Sequence, residues 1–211
     1  MSNYVTAIGL DVHARSIKAF ALNPMTGEFE RASFGYDPAA VAEWALGFDS
    51  PRAVYESGVT GFHLCRALSA LGLPCVVGAV SKMQRPAADR GRKNDRRDAE
   101  FLARLLATRN VVEVWVPDGR TEAARDLSRA LADARDDLQR AKQRMSKFLL
   151  RHGHVFDEAT PTGARKGNWT RAYWRWADAI EFDEPDDAAA YEHYRDCVRR
   201  CQEARDALAR R

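Results

Sequence analysis

Residues 4–12 read Tyr-Val-Thr-Ala-Ile-Gly-Leu-Asp-Val, an apolar and β-branched run with one acid, Asp11, near its end. Such a run is typical of a buried strand. Two alternating segments, residues 16–22 and 28–34, follow it, and residues 23–27 between them have the composition of a turn. These features predict a three-stranded antiparallel meander whose first strand carries an acid.

The chain beyond this meander alternates between helix-like and strand-like segments. A helix is predicted to begin at Pro38, because proline favours the first turn and Val41 and Trp44 recur on one face. The later segments are predicted as a strand, a helix, a strand, a helix and an extended piece, at residues 52–56, 58–71, 75–80, 95–107 and 111–116. This order indicates an α/β fold with a mixed sheet and flanking helices.

Four acids stand at the ends of these segments. Asp11 lies in the first strand, and Glu56 closes the strand at 52–56. Asp95 and Asp98 open the following helix, and their spacing puts them on one helix face. If the fold brings these ends together, the four carboxylates supply the hard oxygen ligands that Mg²⁺ prefers, with Mn²⁺ as a substitute. Two ions about 4 Å apart would serve phosphodiester transfer, so the four acids are predicted as catalytic metal ligands.

Each of these acids also has an explanation without a metal. Asp95 can cap its helix, with Asp98 favourably placed in the first turn. Glu56 can cap the helix that follows it, and Asp11 can be a turn residue at a strand end. His13, two residues after Asp11, is predicted to support that acid structurally rather than to bind metal.

The composition bounds the size and the location of the protein. The 211 residues suffice for one sizeable domain and an accessory element, and 45% hydrophobic residues permit a packed core. Arg supplies 27 of the 33 basic residues, which suits phosphate contacts but is equally typical of a high-GC bacterial genome. The sequence has no window that approaches a membrane span, no leader pattern and no disulfide spacing. We therefore expect a bacterial cytoplasmic protein, associated with the nucleoid.

Residues 120–151 carry a heptad pattern. Its apolar positions are spaced alternately four and three residues apart, and they are Leu127, Leu131, Ala134, Leu138, Ala141, Met145 and Phe148. A helix of this length runs roughly 45 Å, more than a small sheet domain needs, so it is expected to pair. Residues 187–211 are predicted as a second helix, which folds back on the first or joins it in a dimer. The predicted domains are 1–118 and a helical coiled-coil region at 119–211, with a basic, aromatic loop at 152–186.

Basic residues cluster beside the acids and along the helical region. Near the acids we predict nucleic-acid contacts by Arg90, Arg92, Lys93, Arg96 and Arg97. In the helical region we predict them by Arg140, Arg144, Lys147, Arg151, Lys166, Trp169, Arg171 and Arg175. The loop mixes cations with aromatic rings, which suits stacking on unpaired bases, but the same rings can instead attach the loop to the helices.

The motifs together resemble the N-terminal domain of IS110-family transposases, over about residues 5–150. The resemblance rests on Gly-Leu-Asp-Val-His at 9–13, Tyr-Glu-Ser-Gly at 55–58 and Lys-Asn-Asp-Arg-Arg-Asp-Ala at 93–99, in that order. It implies a RuvC-like domain of the ribonuclease H-like fold. In that domain Asp11, Glu56, Asp95 and Asp98 would take the places of a DEDD metal site.

The same family implies further domains and partners. There, a coiled coil follows the N-terminal domain and precedes a transposase domain with a nucleophilic serine. The chain is expected to end before that domain, since its last helix has no terminating residue before Arg211. The resemblance implies the front part of a Mg²⁺-dependent DNA transposase and site-specific recombinase acting on element ends and target DNA. It also implies a structured guide RNA and a homo-oligomer, dimer or tetramer, joined through the coiled coil.

Two other classes of protein fit parts of the pattern. Actin-like ATPases and sugar kinases also begin with Gly-x-Asp before a hairpin, but they need small residues after the Asp to hold phosphate. Residues 12–15 read Val-His-Ala-Arg without glycine, which argues against nucleotide binding. The other class is a dimeric nucleic-acid-binding module without catalysis of its own.

Overall fold

The computed structural model of the chain describes residues 5–58, 60–79 and 95–211, and of residues 95–97 it describes the backbone alone. The chain divides into two compact units, Met1–Pro117 and Asp118–Arg211. The first unit is an α/β fold and the second is helical. Within the described residues, no helix has the length and apolar character that crossing a membrane requires.

A six-stranded mixed sheet forms the centre of the first unit. Its strands are β1 (Thr6–Val12), β2 (Ser16–Leu22), β3 (Phe29–Gly35), β4 (Pro51–Glu56), β5 (Cys75–Gly78) and β6 (Glu113–Val114). They lie in the order β3-β2-β1-β4-β5-β6. Strands β1, β4 and β5 are parallel, and the other neighbouring pairs are antiparallel. The predicted meander and mixed sheet are confirmed.

Three helices cover the two faces of this sheet: α1 (Pro38–Leu46), α2 (His63–Ala70) and α3 (Asp95–Ala107). Helices α1 and α2 pack on the face that carries Leu10, and α3 packs on the face that carries Ala7. Helix α2 begins later than the predicted residue 58, because Gly61 adopts a φ of 63°, outside the right-handed helical region. A mixed sheet flanked by helices in this way fits the ribonuclease H-like fold.

The second unit contains α4 (Gly119–Arg151), α5 (Arg171–Asp178) and α6 (Pro185–Ala209). The bounds of α4 and α6 lie within two residues of the predicted ones. Helix α5 was not predicted and corrects the interpretation of residues 152–186 as a loop. Its cap is Thr170, whose hydroxyl accepts a hydrogen bond from the amide of Tyr173 at 3.3 Å.

Helices α4 and α6 run antiparallel in the core of the second unit. His152 Nε2 at the end of α4 lies 3.7 Å from Asp187 Oδ1 at the start of α6. Further back on α4, Lys142 interacts electrostatically with Asp206 near the end of α6. Of the two predicted arrangements of the second helix, the structure therefore contains the one in which it folds back on the first.

The heptad positions of α4 are buried unequally. Leu138 is 5% exposed, and the later positions of the pattern are buried as well. Leu127, nearer the start of α4, is 36% exposed. The pattern thus packs within the chain over its C-terminal part, and a coiled coil between copies of the chain stays a prediction.

Candidate metal site at the carboxyl ends of β1 and β4

The centre of β1 touches the backbone of α3 at Gly9. A Cβ atom at this position would overlap the carbonyl oxygen of Ala99 and lie 2.5 Å from the amide nitrogen of Ala103. Only glycine permits this approach, because any side chain would have to push the helix off the strand. A glycine in the middle of an apolar strand was the available sequence signal for this close approach, and its structural role was not predicted.

This contact also sets the direction of α3 along β1. Ala7 packs with Leu102, whereas Gly9 lies against Ala99. Each step of two residues forward along the strand therefore corresponds to about one turn backward along the helix. Continuing one more step, Asp11 lies level with the first turn of α3, which contains Asp98 and the backbone of Asp95.

Glu56 is brought beside Asp11 by the pairing of two parallel strands. Leu10 of β1 pairs with Tyr55 of β4, and Asp11 and Glu56 are the next residues of these strands. Alternation along β4 places Glu56 on the same face as Val54, which packs with the α3 residues. Asp11, Glu56 and the start of α3 therefore share one face and one end of the sheet.

Tyr55 fixes the end of β4. Its side chain is fully buried, its hydroxyl donates to the carbonyl oxygen of Gly61 at 2.9 Å, and it accepts from the amide of Cys65 at 3.3 Å. Burial raises the pKa of this phenol, so it stays neutral.

The cap position of α2 is Phe62, without a side-chain hydrogen bond. The alternative role of Glu56 as the cap of that helix is therefore not observed.

His13 contacts the first acid directly. Its Nε2 lies 3.1 Å from Asp11 Oδ2, while the side chains of His13 and Asp11 are 48% and 16% exposed. This contact agrees with the supporting role that the sequence suggested for His13. It restrains the rotation of the Asp11 carboxylate.

The described side chains do not by themselves form a complete metal cluster. Among them, no three His, Cys, Asp or Glu groups lie close enough together to hold an ion. The side chain of Asp95 lies outside the described part of the chain. The donor set is nevertheless chemically suited to Mg²⁺, because all four predicted ligands are carboxylates. The four-carboxylate site stays a prediction. The ends of β1 and β4 and the start of α3, which carry its residues, lie on one face of the sheet.

The basic residues predicted beside the acids lie mostly outside the described residues. This applies to Arg90, Arg92 and Lys93, and to the side chains of Arg96 and Arg97 in the first turn of α3.

The basic and aromatic residues of the second unit are described. Arg144, Lys147, Arg171 and Arg175 are exposed, as are Arg140, which pairs with Asp137 at 3.1 Å, and Arg151. Lys166 pairs with Glu158 at 2.9 Å. Trp169 packs 4.7 Å from the ring of Tyr173 and against the buried cluster of this unit. These contacts favour the structural alternative for the aromatic residues, which attach the segment to the helices.

One residue near the acids was missed by the sequence analysis. Lys18 of β2 is the cross-strand partner of Asp11 and lies on the same face. Its place next to the acid depends on the register of the β1–β2 pair. Alternation within β2 indicated a polar face, but it did not indicate which residue of β1 each polar side chain would oppose.

A mixed sheet with flanking helices, whose first strand and its parallel neighbour carry acids near their carboxyl ends, fits the ribonuclease H-like fold. Comparison with known families agrees with this class. The family model for IS110-type DEDD transposases, described as "Transposase", matches residues 8–153. The chain belongs to this family.

Two curated relatives carry the same designation. The chain is 38% identical over 159 residues to "Putative transposase y4qE" of Sinorhizobium fredii, an alignment that covers 75% of this chain and 38% of the relative. It is 30% identical over 182 residues to "Transposase for insertion sequence element IS1533" of Leptospira borgpetersenii, covering 83% and 51%. The chain therefore spans about half or less of the length of these relatives.

Proposed function

We propose that this chain supplies the carboxylate part of the active site of a DNA transposase, which cuts and exchanges DNA strands with Mg²⁺. The supporting observation is the backbone contact between Gly9 and α3, which brings the start of that helix level with Asp11. Glu56 reaches the same end of the sheet through the pairing of β4 with β1. A folding scaffold alone does not require acids at all of these ends.

The residues have distinct roles in this proposal. Asp11, Glu56, Asp95 and Asp98 hold the metal, and His13 orients the Asp11 carboxylate through its 3.1 Å contact. Bound Mg²⁺ supplies Lewis-acid stabilisation of the attacking and leaving oxygens of a phosphodiester. We assign no catalytic serine within this chain.

The metal site is tested by measuring Mn²⁺ binding with electron paramagnetic resonance, with Mg²⁺ as competitor. We expect Asp11→Asn to weaken binding at least about ten-fold, since even outer-shell changes at metal sites have effects of that size. The matched control is Asp49→Asn, an exposed acid before the start of β4, at the opposite end of the sheet. Equal affinity of Asp11→Asn and the control would refute the metal site.

The partners of the protein form a second part of the proposal. We infer that it binds the DNA of element ends and target, and a structured guide RNA, partly through the exposed cations Arg144, Lys147 and Arg151 of α4. Gel-shift titration with RNA transcribed from the flank of the element, against a shuffled RNA of equal length, tests the guide. The proposal predicts tighter binding of the natural RNA, and equal binding of both would contradict it.

A further inference from the structure

One face of β2 and β3 is only partly covered by α3. The helix buries Phe20 of β2, which is 2% exposed. On β3 the same face carries Phe29, Arg31 and Ser33, and all three are exposed. A cavity of about 400 Å³ lies there. We call it the β2–β3 groove, and the side chains that bound it include Lys18, Phe20, Arg31, Ser33 and Ala99.

Strand register joins this groove to the predicted metal site. Asp11 of β1 pairs with Lys18 of β2, and Lys18 pairs in turn with Ser33 of β3. The three side chains form one row across the sheet, roughly 10 Å long, because neighbouring strands lie about 4.8 Å apart. The β2–β3 groove therefore begins immediately beside Asp11.

The next row of the groove holds a fixed cation. The guanidinium of Arg31 lies 5.0 Å from the ring centre of Phe20 and 4.8 Å from that of Phe29. Its Nη2 donates to Glu100 at 3.0 Å, and Glu100 also accepts from Arg104 at 2.8 Å. Two cations share this one carboxylate, so this part of the groove wall keeps a net positive charge.

Phe29 supplies an exposed ring at the outer edge of the groove. It is 58% exposed, yet its ring stacks on Phe20 with centres 5.4 Å apart and an angle of 12° between the planes. The guanidinium of Arg31 also lies over this ring, and the side chain remains more than half exposed. An exposed aromatic ring that its neighbours hold in place is suited to stacking on an unpaired base.

We propose that the β2–β3 groove binds the single DNA strand that is to be cut, leading its scissile phosphate to Asp11. Lys18 and Ser33 contact the phosphates next to the cut, and Phe29 stacks on an unpaired base further along. A DNA strand brings one negative charge per nucleotide towards the carboxylates, and the cations of the groove compensate for this charge. The identity of the bound strand as the cut one rests on the proposed function, whereas binding itself does not.

The first test measures binding of a fluorescent single-stranded DNA of 12 nucleotides by anisotropy, in EDTA so that no metal contributes. We expect Phe29→Leu, which keeps the apolar contact with Phe20, to weaken binding about ten-fold, the size of one stacking contact. Lys18→Gln should lower the slope of log K against log salt by about 0.7, as expected for one phosphate contact to a single strand.

The matched controls lie in the same unit away from the groove. Trp115→Leu removes another exposed ring, and Arg109→Asn removes an exposed cation at the far end of α3, where asparagine tolerates the φ of 58°. Both should bind DNA like the wild type. Equal DNA affinity of Phe29→Leu and Trp115→Leu would refute binding of DNA in the β2–β3 groove, while leaving the Mn²⁺ result for Asp11→Asn unaffected.

A second test locates the bound DNA strand directly. DNA that contains 5-iodouracil forms photo-crosslinks to aromatic side chains on which the base stacks, and peptide mapping identifies the residue. We expect a crosslink at Phe29 that is lost in Phe29→Leu and kept in Trp115→Leu. Crosslinks confined to the second unit would place the strand elsewhere and refute the proposal, even if metal binding at Asp11 is normal.

Discussion

At the scale of single residues, the absence of a side chain at Gly9 matters as much as the acids do. The ordinary strand conformation would accept alanine, but the backbone of α3 occupies the position of its Cβ atom. Any displacement of α3 would also move Asp98 and the position of Asp95 away from Asp11. Packing and the predicted site therefore depend on the same contact.

Gly9→Ala should lower the free energy of unfolding by about 3 kcal/mol, because backbone atoms cannot turn aside as a flexible side chain can. Urea denaturation followed by circular dichroism measures the change. Gly35→Ala is the matched control, since a Cβ atom at Gly35, also in the sheet, would meet nothing within 4 Å. If the two variants are equally stable, the close packing of α3 on β1 is not as described.

At the scale of elements, α4 shows that the apolar side chains of one regular heptad pattern can be buried to different extents. Leu138 and Leu127 both lie on the apolar seam of one helix, yet Leu138 is buried against the core of the second unit and Leu127 is 36% exposed. The pattern describes which face of α4 is apolar. It does not describe how far another helix extends along that face.

Leu138→Ala should therefore destabilise the chain by about 2–5 kcal/mol, and Leu127→Ala by less than about 1 kcal/mol. The two variants make the same chemical change, and thermal denaturation at several protein concentrations compares them. An equally large effect at Leu127 that grows with protein concentration would show that a second copy covers the start of α4. That outcome would support the predicted homo-oligomer. It would contradict the view that packing within one chain fully explains the heptad pattern of α4.

At the scale of the whole molecule, the chain has two separate cores. The buried residues of the second unit, from Leu138 to Val198, form a cluster among themselves. The sheet and α1 to α3 form the clusters of the first unit. Each unit buries its own apolar residues, which is the usual condition for independent folding.

Residues 118–211 alone should therefore form a stable helical fold. We expect a helical circular dichroism spectrum and a cooperative thermal transition, because α4, α5 and α6 share one buried core. As a control, a peptide of residues 119–151 should melt without cooperativity, since α4 would then have no partner. A non-cooperative transition for residues 118–211 would mean that the second unit depends on the first.

Local pattern determined much of this protein in advance. Alternation and β-branched runs located the strands of the meander, and Pro38 and the heptads located α1 and α4 within a residue or two. These signals are local, because the period of apolar residues follows directly from strand and helix geometry. Helix α5 was not predicted, because its short span is rich in aromatic and charged residues and only Thr170 marks its start.

The sequence by itself thus determined the order of the elements apart from α5, the acids at their ends and the family to which these motifs belong. Only the tertiary structure decided which residues face one another across strands and between layers. Lys18 lies opposite Asp11, and α3 touches Gly9, through contacts between residues far apart in the chain or set by pairing register. Such neighbours leave no periodic signal in the sequence, because register and layer packing are fixed by the fit of the whole sheet and helix rather than by any one segment.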